Sequence, residues 1–289
     1  MNALVQSLKI NILHVGHAKL DNKWNYENVI SPFTRLFCVT KGQAEAYHTN
    51  QAFVLKPGHM YLIPSYTYNR YKCEVYHEQY YIGFFEEIKD GLSIYNLKDF
   101  VYEVKASETD LFYFKRLLTM LPNMAVVNSD PKASINRPAL LNFNKNENSI
   151  APDHYLETKG IISILLSKFI KDSVATKQTI AHTGDFNKII IYLAQNLHKD
   201  LTVDGLAKYC SLNPDYFSRV FKHKFGMRPI SYIQRKRIER AQLFLLTTTD
   251  SLEQIAENVG MKNMSYFSRT FKKITGKSPA KFRKEQLNS

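Results

Sequence analysis

The chain has 289 residues, 44% of them hydrophobic, and 39 Lys and Arg against 26 Asp and Glu, a formal net charge of +13. That length suits two domains, each able to bury a core. Its most apolar run, Ile161-Ile-Ser-Ile-Leu-Leu166, is far too short to cross a bilayer. Three widely spaced cysteines, Cys38, Cys73 and Cys210, with no CxxC spacing, argue against a disulfide framework or a zinc site. They read as small buried hydrophobes of a reducing compartment. The opening residues carry no cationic leader followed by a long apolar run. A cytoplasmic protein with no membrane partner is expected. The charge is uneven: residues 185–289 hold 19 Lys and Arg against 9 Asp and Glu, the preceding 184 hold 20 against 17. A basic end on a nearly balanced body points that end at a polyanion.

From Arg35 to Phe85, short β-branched and aromatic runs alternate with turn residues such as Lys41-Gly-Gln and Lys56-Pro-Gly58. The spacing predicts an antiparallel barrel or sandwich. Tyrosines crowd this stretch from Tyr47 to Tyr81, with Trp24 upstream. They would suit a small-ligand pocket in a barrel mouth, although tyrosine is also common in strands generally. His48, His59 and His77 are scattered and do not form a metal-ligand set. No metal or other cofactor is expected, and no catalytic residue stands out.

Ser107 to Leu121 reads as a capped amphipathic helix with Leu111, Phe114, Leu117, Leu118 and Leu121 on one face. Asn128–Ser134 and Asn142–Ser149 read as loop. Tyr155 to Ile170 reads as a second helix, with Leu156, Ile161, Ile164, Leu165 and Phe169 as its apolar contacts. Lys171 to Thr183 is polar and reads as a linker.

The remainder contains one segment written twice. Asn213-Pro-Asp-Tyr-Phe-Ser-Arg-Val-Phe-Lys-His-Lys-Phe-Gly226 precedes Pro229; Asn263-Met-Ser-Tyr-Phe-Ser-Arg-Thr-Phe-Lys-Lys-Ile-Thr-Gly276 precedes Pro279. Asn caps a helix start, Gly ends one, and Pro opens the next. Phe217, Phe221 and Phe225 recur every four residues, so Ser218, Arg219 and Lys222 take other faces. Shorter helices, Thr202–Tyr209 and Ser251–Asn258, precede the two copies across short turns. Each half is therefore a helix-turn-helix, and the second turn has one extra residue. A repeated unit at a fixed offset with the same Arg and Lys is more than a solvated helix face.

The second copy, Gly260-Met-x-x-x-Ser-Tyr-Phe-Ser-Arg-x-Phe-Lys-Lys-x-x-Gly-x-Ser-Pro279, resembles the signature of AraC/XylS-type bacterial transcription regulators. Lys56-Pro-Gly-His-Met-Tyr-Leu-Ile-Pro64 resembles the cupin-like sensor domain found at the N-terminus of many of them. The resemblance implies an α+β multidomain protein: an N-terminal antiparallel β-barrel (cupin-like) with following helices, and a C-terminal all-α double helix-turn-helix. Its domains would be a sensor over 1–105, a helical dimerisation and linker region over 106–184, and a DNA-binding domain over 185–289.

Such a protein binds double-stranded promoter DNA under control of a small-molecule effector, commonly as a homodimer. RNA polymerase is a further partner where it acts as an activator. The candidate DNA-binding residues are Asn213, Asp215, Ser218, Arg219 and Lys222, and Asn263, Ser265, Ser268, Arg269 and Lys272. Arg219 and Arg269 can offer paired donors to guanine or clamp phosphate, and Lys222 and Lys272 suit phosphate. Lys41, Asn69, Tyr71 and Tyr80 occupy positions resembling ligand contacts in sugar-sensing relatives. Asn69 stands where a cupin pattern often has His, which weakens the alternative of a cupin-type enzyme with a DNA-binding tail. A DNA-organising protein without sensing is a third class.

Overall fold

The computed structural model describes residues 5–29, 31–49, 51–67, 69–88, 92–96, 98–126, 150–171 and 183–287. Its described residues fall into two compact units. One holds the chain to Glu87 and residues 98–171; the other holds residues 88–97 and the chain from 183 to Glu285. The loops expected at 128–134 and 142–149 lie outside the described residues, as does nearly all of the expected linker. No described helix is long and apolar enough to cross a membrane.

Among the described residues the first unit has nine strands: β1 (Lys9–Asp21), β2 (Asn25–Val29), β3 (Thr34–Gly42), β4 (Ala44–His48), β5 (Gln51–Leu55), β6 (His59–Ile63), β7 (Asn69–Lys72), β8 (Tyr76–Glu87) and β9 (Glu103–Lys105). They make two antiparallel sheets, ordered β1-β8-β3-β6-β9 and β2-β7-β4-β5. Leu55, Ala46 and Tyr71 from the smaller sheet and Phe37, Val39, Tyr61 and Tyr81 from the larger share one core. Alternation in β4 and β7 turns every second residue inward. β1 lies before Arg35, outside the stretch whose spacing predicts strands. Its register slips between Ile12 and His14, which reverses the faces there and spoils the alternation a strand is read from. Two glycines in this pair admit aromatics: a Cβ on Gly16 would lie 2.1 Å from Tyr81 Oη, and one on Gly83 would lie 2.2 Å from His14 Nε2.

Helix α1 (Glu108–Met120) packs on β1 and β8, and α2 (Pro152–Ser167) packs on β1 and α1. In α1, Phe114, Leu117 and Met120 are buried. In α2 the buried face is Thr158, Ile161, Ile162, Leu165 and Leu166. Leu156 and Ile164, expected inward, are 68% and 43% exposed. At 100° per residue they fall on the side opposite that face. Ser107 and Asp110 form a reciprocal capping box. Asp110 is fully buried, and Lys168, just past α2, approaches its Oδ1 to 2.7 Å and donates to its Oδ2 at 2.8 Å. Burial pushes the Asp110 carboxyl up, but the Lys168 and Ser107 hydrogen bonds outweigh it and hold it below the usual range.

The second unit contains α3 (Thr183–Asn196), α4 (Val203–Tyr209), α5 (Pro214–Phe225), α6 (Pro229–Thr247), α7 (Leu252–Asn258), α8 (Met264–Thr275) and α9 (Pro279–Leu287). Its two helix-turn-helix pairs are α4–α5 and α7–α8.

Replacing Lys168 by Met strands the Asp110 carboxylate and is expected to lower stability by about 1–3 kcal/mol near pH 7, read from denaturant unfolding. A carboxyl depressed in the folded state stabilises fully above its unfolded pKa and loses that contribution as pH falls through the folded value. The wild-type advantage should therefore shrink on acidification. An advantage independent of pH would show that Lys168 acts by packing alone.

Candidate nucleic-acid interface

Both recognition helices are started and stopped by the same groups. Asn213 Oδ1 accepts the Tyr216 N–H at 2.8 Å, and Asn263 Oδ1 accepts the Tyr266 N–H at 2.9 Å. Gly226 and Gly276, at φ 71° and 79°, end α5 and α8, each donating its N–H to the carbonyl of Lys222 or Lys272. The short helices are capped too: Thr202 Oγ1 accepts from Gly205 N, and Ser251 and Gln254 close a capping box.

Phe217, Phe221, Phe267 and Phe271 are fully buried, with ring centroids 5.5 Å apart in the first pair and 5.8 Å in the second. Burying that stripe turns the opposite side outward. On α5, Asp215, Tyr216, Arg219, Lys222 and His223 are exposed; on α8, Ser265, Tyr266, Arg269, Lys272 and Lys273 are. Ser218 and Ser268 are half-buried at the margin. All ten candidates thus lie on the two helices or their caps. The Asn213 and Asn263 carbonyl oxygens are occupied by capping, which leaves their amide donors outward. Arg219 sits over the Tyr216 ring at 5.8 Å, and Arg269 Nε donates to the Ser265 carbonyl.

Tyr216 and Tyr266 were not singled out in the sequence, although the 50-residue offset aligns them as it aligns the arginines. The second face is also more cationic, since Lys273 stands where the first copy has His223 and Ser265 where it has Asp215.

Along α6, Ile238, Ala241 and Leu245 are buried. The four cations of α6 divide. Arg235 is exposed, Lys236 pairs with Glu239 at 2.7 Å, Arg240 lies over the Phe244 ring, and Arg237 folds back onto backbone carbonyls.

In the first unit the four candidate ligand residues separate into two pairs. Asn69 and Tyr71 are on the buried face of β7. Tyr71 Oη accepts a hydrogen bond from buried Arg35 at 3.0 Å, and burial raises its pKa. Tyr80, a neighbour of inward-facing Tyr81, is on the other face of β8 and stacks on His17 at 4.4 Å. Exposed Lys41 lies 3.6 Å from Glu78, which also meets His17 at 3.0 Å. An open groove of about 530 Å³ beside Gln43, Glu45, Lys72 and Tyr76 includes none of the four. His48 stacks on Phe53, His59 faces the Pro57 carbonyl and His77 meets Gln79. Among the described residues no three His, Cys, Asp or Glu side chains converge as metal ligands.

A family model described as a helix-turn-helix domain matches residues 206–285. The chain is 38% identical over 92 residues to the bifunctional transcriptional activator/DNA repair enzyme AdaA of Bacillus subtilis, covering 32% of this chain and 44% of that protein. It is 34% identical over 93 residues to the arabinose operon regulatory protein of Escherichia coli, covering 32% of each. The C-terminal domain is of the AraC type. The chain spans less than half the length of either curated relative. Unsaturated-fatty-acid-bound ToxT of Vibrio cholerae aligns with 98% of this chain and 96% of its own, at a TM-score of 0.52 and 15% identity. That likeness concerns the fold alone: antiparallel sheets followed by a helical domain.

Asn213→Ala and Asn263→Ala should each destabilise this AraC-type domain by about 1 kcal/mol, the worth of a helix N-cap. Thermal and denaturant unfolding of the single variants measures it. No change in either would mean that the caps contribute nothing beyond solvent.

Proposed function

We propose that the chain is a transcription regulator of the AraC type, whose two helix-turn-helix units read one bipartite site in double-stranded promoter DNA. The observation that carries this is the repeated face: the same cap, the same buried Phe pair and the same exposed Tyr, Arg and Lys on α5 and α8. A solvated face has no reason to recur in this way. Arg219 and Arg269 face guanine edges or phosphate. Lys222 and Lys272 hold phosphate. Asp215, Ser218, Ser265, Ser268 and the amides of Asn213 and Asn263 face base edges near the helix starts. Helix α6, 19 residues long, spans about 28 Å at 1.5 Å per residue. That length supports two recognition helices in successive major grooves on one side of the duplex.

Control by a small molecule bound between the two sheets accompanies this reading. His77 Nδ1 and Asn69 Oδ1 are buried polar atoms with no hydrogen-bond partner among the described residues, and such atoms call for one. Arg35, Tyr71 and Gln79 add polar groups to the same interior. Asn69 and Tyr71 would meet the effector there, and Lys41 and Tyr80 would act from the Glu78 side of β8. That ToxT is known bound to a fatty acid supports a small-molecule role for this fold. Homodimerisation through the exposed Leu156 and Ile164 stripe of α2, a cytoplasmic location and absence of catalysis complete the proposal. RNA polymerase is a further partner if control is by activation.

Selection from a random DNA library with the full-length chain tests it. Wild type should enrich two halves about one turn apart. Arg219→Ala should lose preference in one half and Arg269→Ala in the other, each by about 1–3 kcal/mol at its base. Binding to all sequences that merely weakens with salt would instead mark a DNA-organising protein.

A further inference from the structure

The turns α4–α5 and α7–α8 are built alike and surrounded differently. In each, one residue takes a left-handed backbone, Ser211 at φ 56° and Gly260 at φ 76°. In each, the next N–H bonds back to the short helix: Leu212 to the Ala207 carbonyl at 2.9 Å, Met261 to the Ala256 carbonyl at 2.7 Å. Ser211 is exposed, and its side chain is accommodated. A Cβ on Gly260 would come within 2.5 Å of the Leu197 carbonyl oxygen and 3.0 Å of an Arg237 nitrogen. The second turn therefore needs glycine for a close approach as well as for its φ. What it approaches is the end of α3, the helix that opens the first helix-turn-helix unit.

Arg237 reaches the same point from α6. Its Nε donates to the Leu197 carbonyl at 2.8 Å and its Nη2 to the Lys199 carbonyl at 2.6 Å. Both acceptors lie past the last turn of α3, where helical N–H partners have run out. The rigid guanidinium fork satisfies the two at once. One turn earlier on α6, Gln234 donates to the Tyr266 hydroxyl on α8. The end of α3, the middle of α6 and the second turn thus meet at one place.

We propose that this junction, with Arg237 bridging the Leu197 and Lys199 carbonyls against Gly260, sets the separation and angle of the two recognition helices. It thereby decides which half-site spacing the domain accepts. The proposal rests on the two-headed DNA reading above. Arg237 is a positioning residue: its Nε and Nη2 donate to backbone carbonyls, and it acts on DNA through the placement of α8. Without it, the second helix-turn-helix half keeps its own Phe267–Phe271 core but loses its hold on the first half.

Two measurements on the full-length chain test this. The first uses spin labels at Lys208→Cys and Glu253→Cys, exposed sites on α4 and α7 outside the proposed DNA face, and reads their distance distribution without DNA. A single narrow distribution is expected, broadened by Arg237→Ala and partly restored by Arg237→Lys, which keeps the charge and one donor nitrogen but not the fork. The second compares the selected site with the same halves separated by one or two extra base pairs. Wild type should lose about tenfold or more with the insertion, because groove position turns with spacing. Arg237→Ala should lose most of that penalty while binding an isolated half within about twofold of wild type.

A folded Arg237→Ala that keeps the narrow distribution and the full insertion penalty overturns the proposal. If that variant does not fold, Gly260→Ala, which sets a methyl against the Leu197 carbonyl, goes through both measurements with the same outcomes. If wild type selects no bipartite site, the DNA reading fails, and the label distances still decide whether the junction holds the units.

Discussion

Phenylalanine at every fourth position decides what each recognition helix can present. Phe217 with Phe221, and Phe267 with Phe271, are fully buried, and each such ring is worth roughly 1.5–3 kcal/mol of burial. A helix anchored by that stripe has no freedom over its remaining faces. Arg219 and Lys222, like Arg269 and Lys272, must point away from the core, and they remain exposed. The cations contribute little to stability and the rings contribute most of it. Exposed charge concentrated beside a rigid core is the arrangement that a polyanion meets at least entropic cost.

The double helix-turn-helix was legible because every signal in it is local. The caps Asn213 and Asn263, the stops Gly226 and Gly276 and the spacing of the Phe residues all act within one or two helical turns. The junction was not legible. Arg237 looks like any outward cation of α6, and nothing nearby in the chain announces carbonyls forty residues earlier. Gly260 was readable as a turn residue, but its second role depends on what the turn touches. In the sheets, individual strands were legible from alternation and their partners were not. The order β1-β8-β3-β6-β9 joins strands far apart in sequence, and pairing of that kind leaves no local trace. The same alternation parts Tyr71 from Tyr80: a position in a list of tyrosines carries no face until the register is known.

The interior of the first unit mixes rings with polar groups in a way an inert core does not need. Trp24, Phe37 and Tyr71 form an aromatic wall, yet Arg35, His77 and Gln79 are buried among such rings. Burial lowers the pKa of His77, and that of His48 to about 4, so both rings are neutral near neutrality. A neutral imidazole can donate at one nitrogen and accept at the other. In His77 one ring nitrogen faces Gln79 at 2.9 Å, which leaves the other to be satisfied. A purely apolar core of the same volume would be simpler to stabilise. Retaining these groups is most economically explained by recognition of something polar.

Helix α6 shows why the two helix-turn-helix halves of the C-terminal domain act as one body. At an offset of 50 its start matches α9: Pro229 with Pro279, and Tyr232 with Phe282. Tyr232 meets Phe221 edge-on at 5.4 Å as Phe282 meets Phe271 at 5.5 Å. At an offset of 49 its later part matches α3: buried Ile238, Glu239 and Gln242 take the places of buried Ile189, Ile190 and Leu193. One helix therefore closes the first helix-turn-helix half and opens the second, and the two roles overlap over residues 232–237. No flexible link separates them. Adding a single residue within the overlap would turn the second helix-turn-helix half by about 100° and move it about 1.5 Å, carrying α8 off the groove that α5 is proposed to enter. The relation between the two heads is thus written into helix length, and the Arg237 contact at the end of the overlap holds the remaining bending and twisting in check.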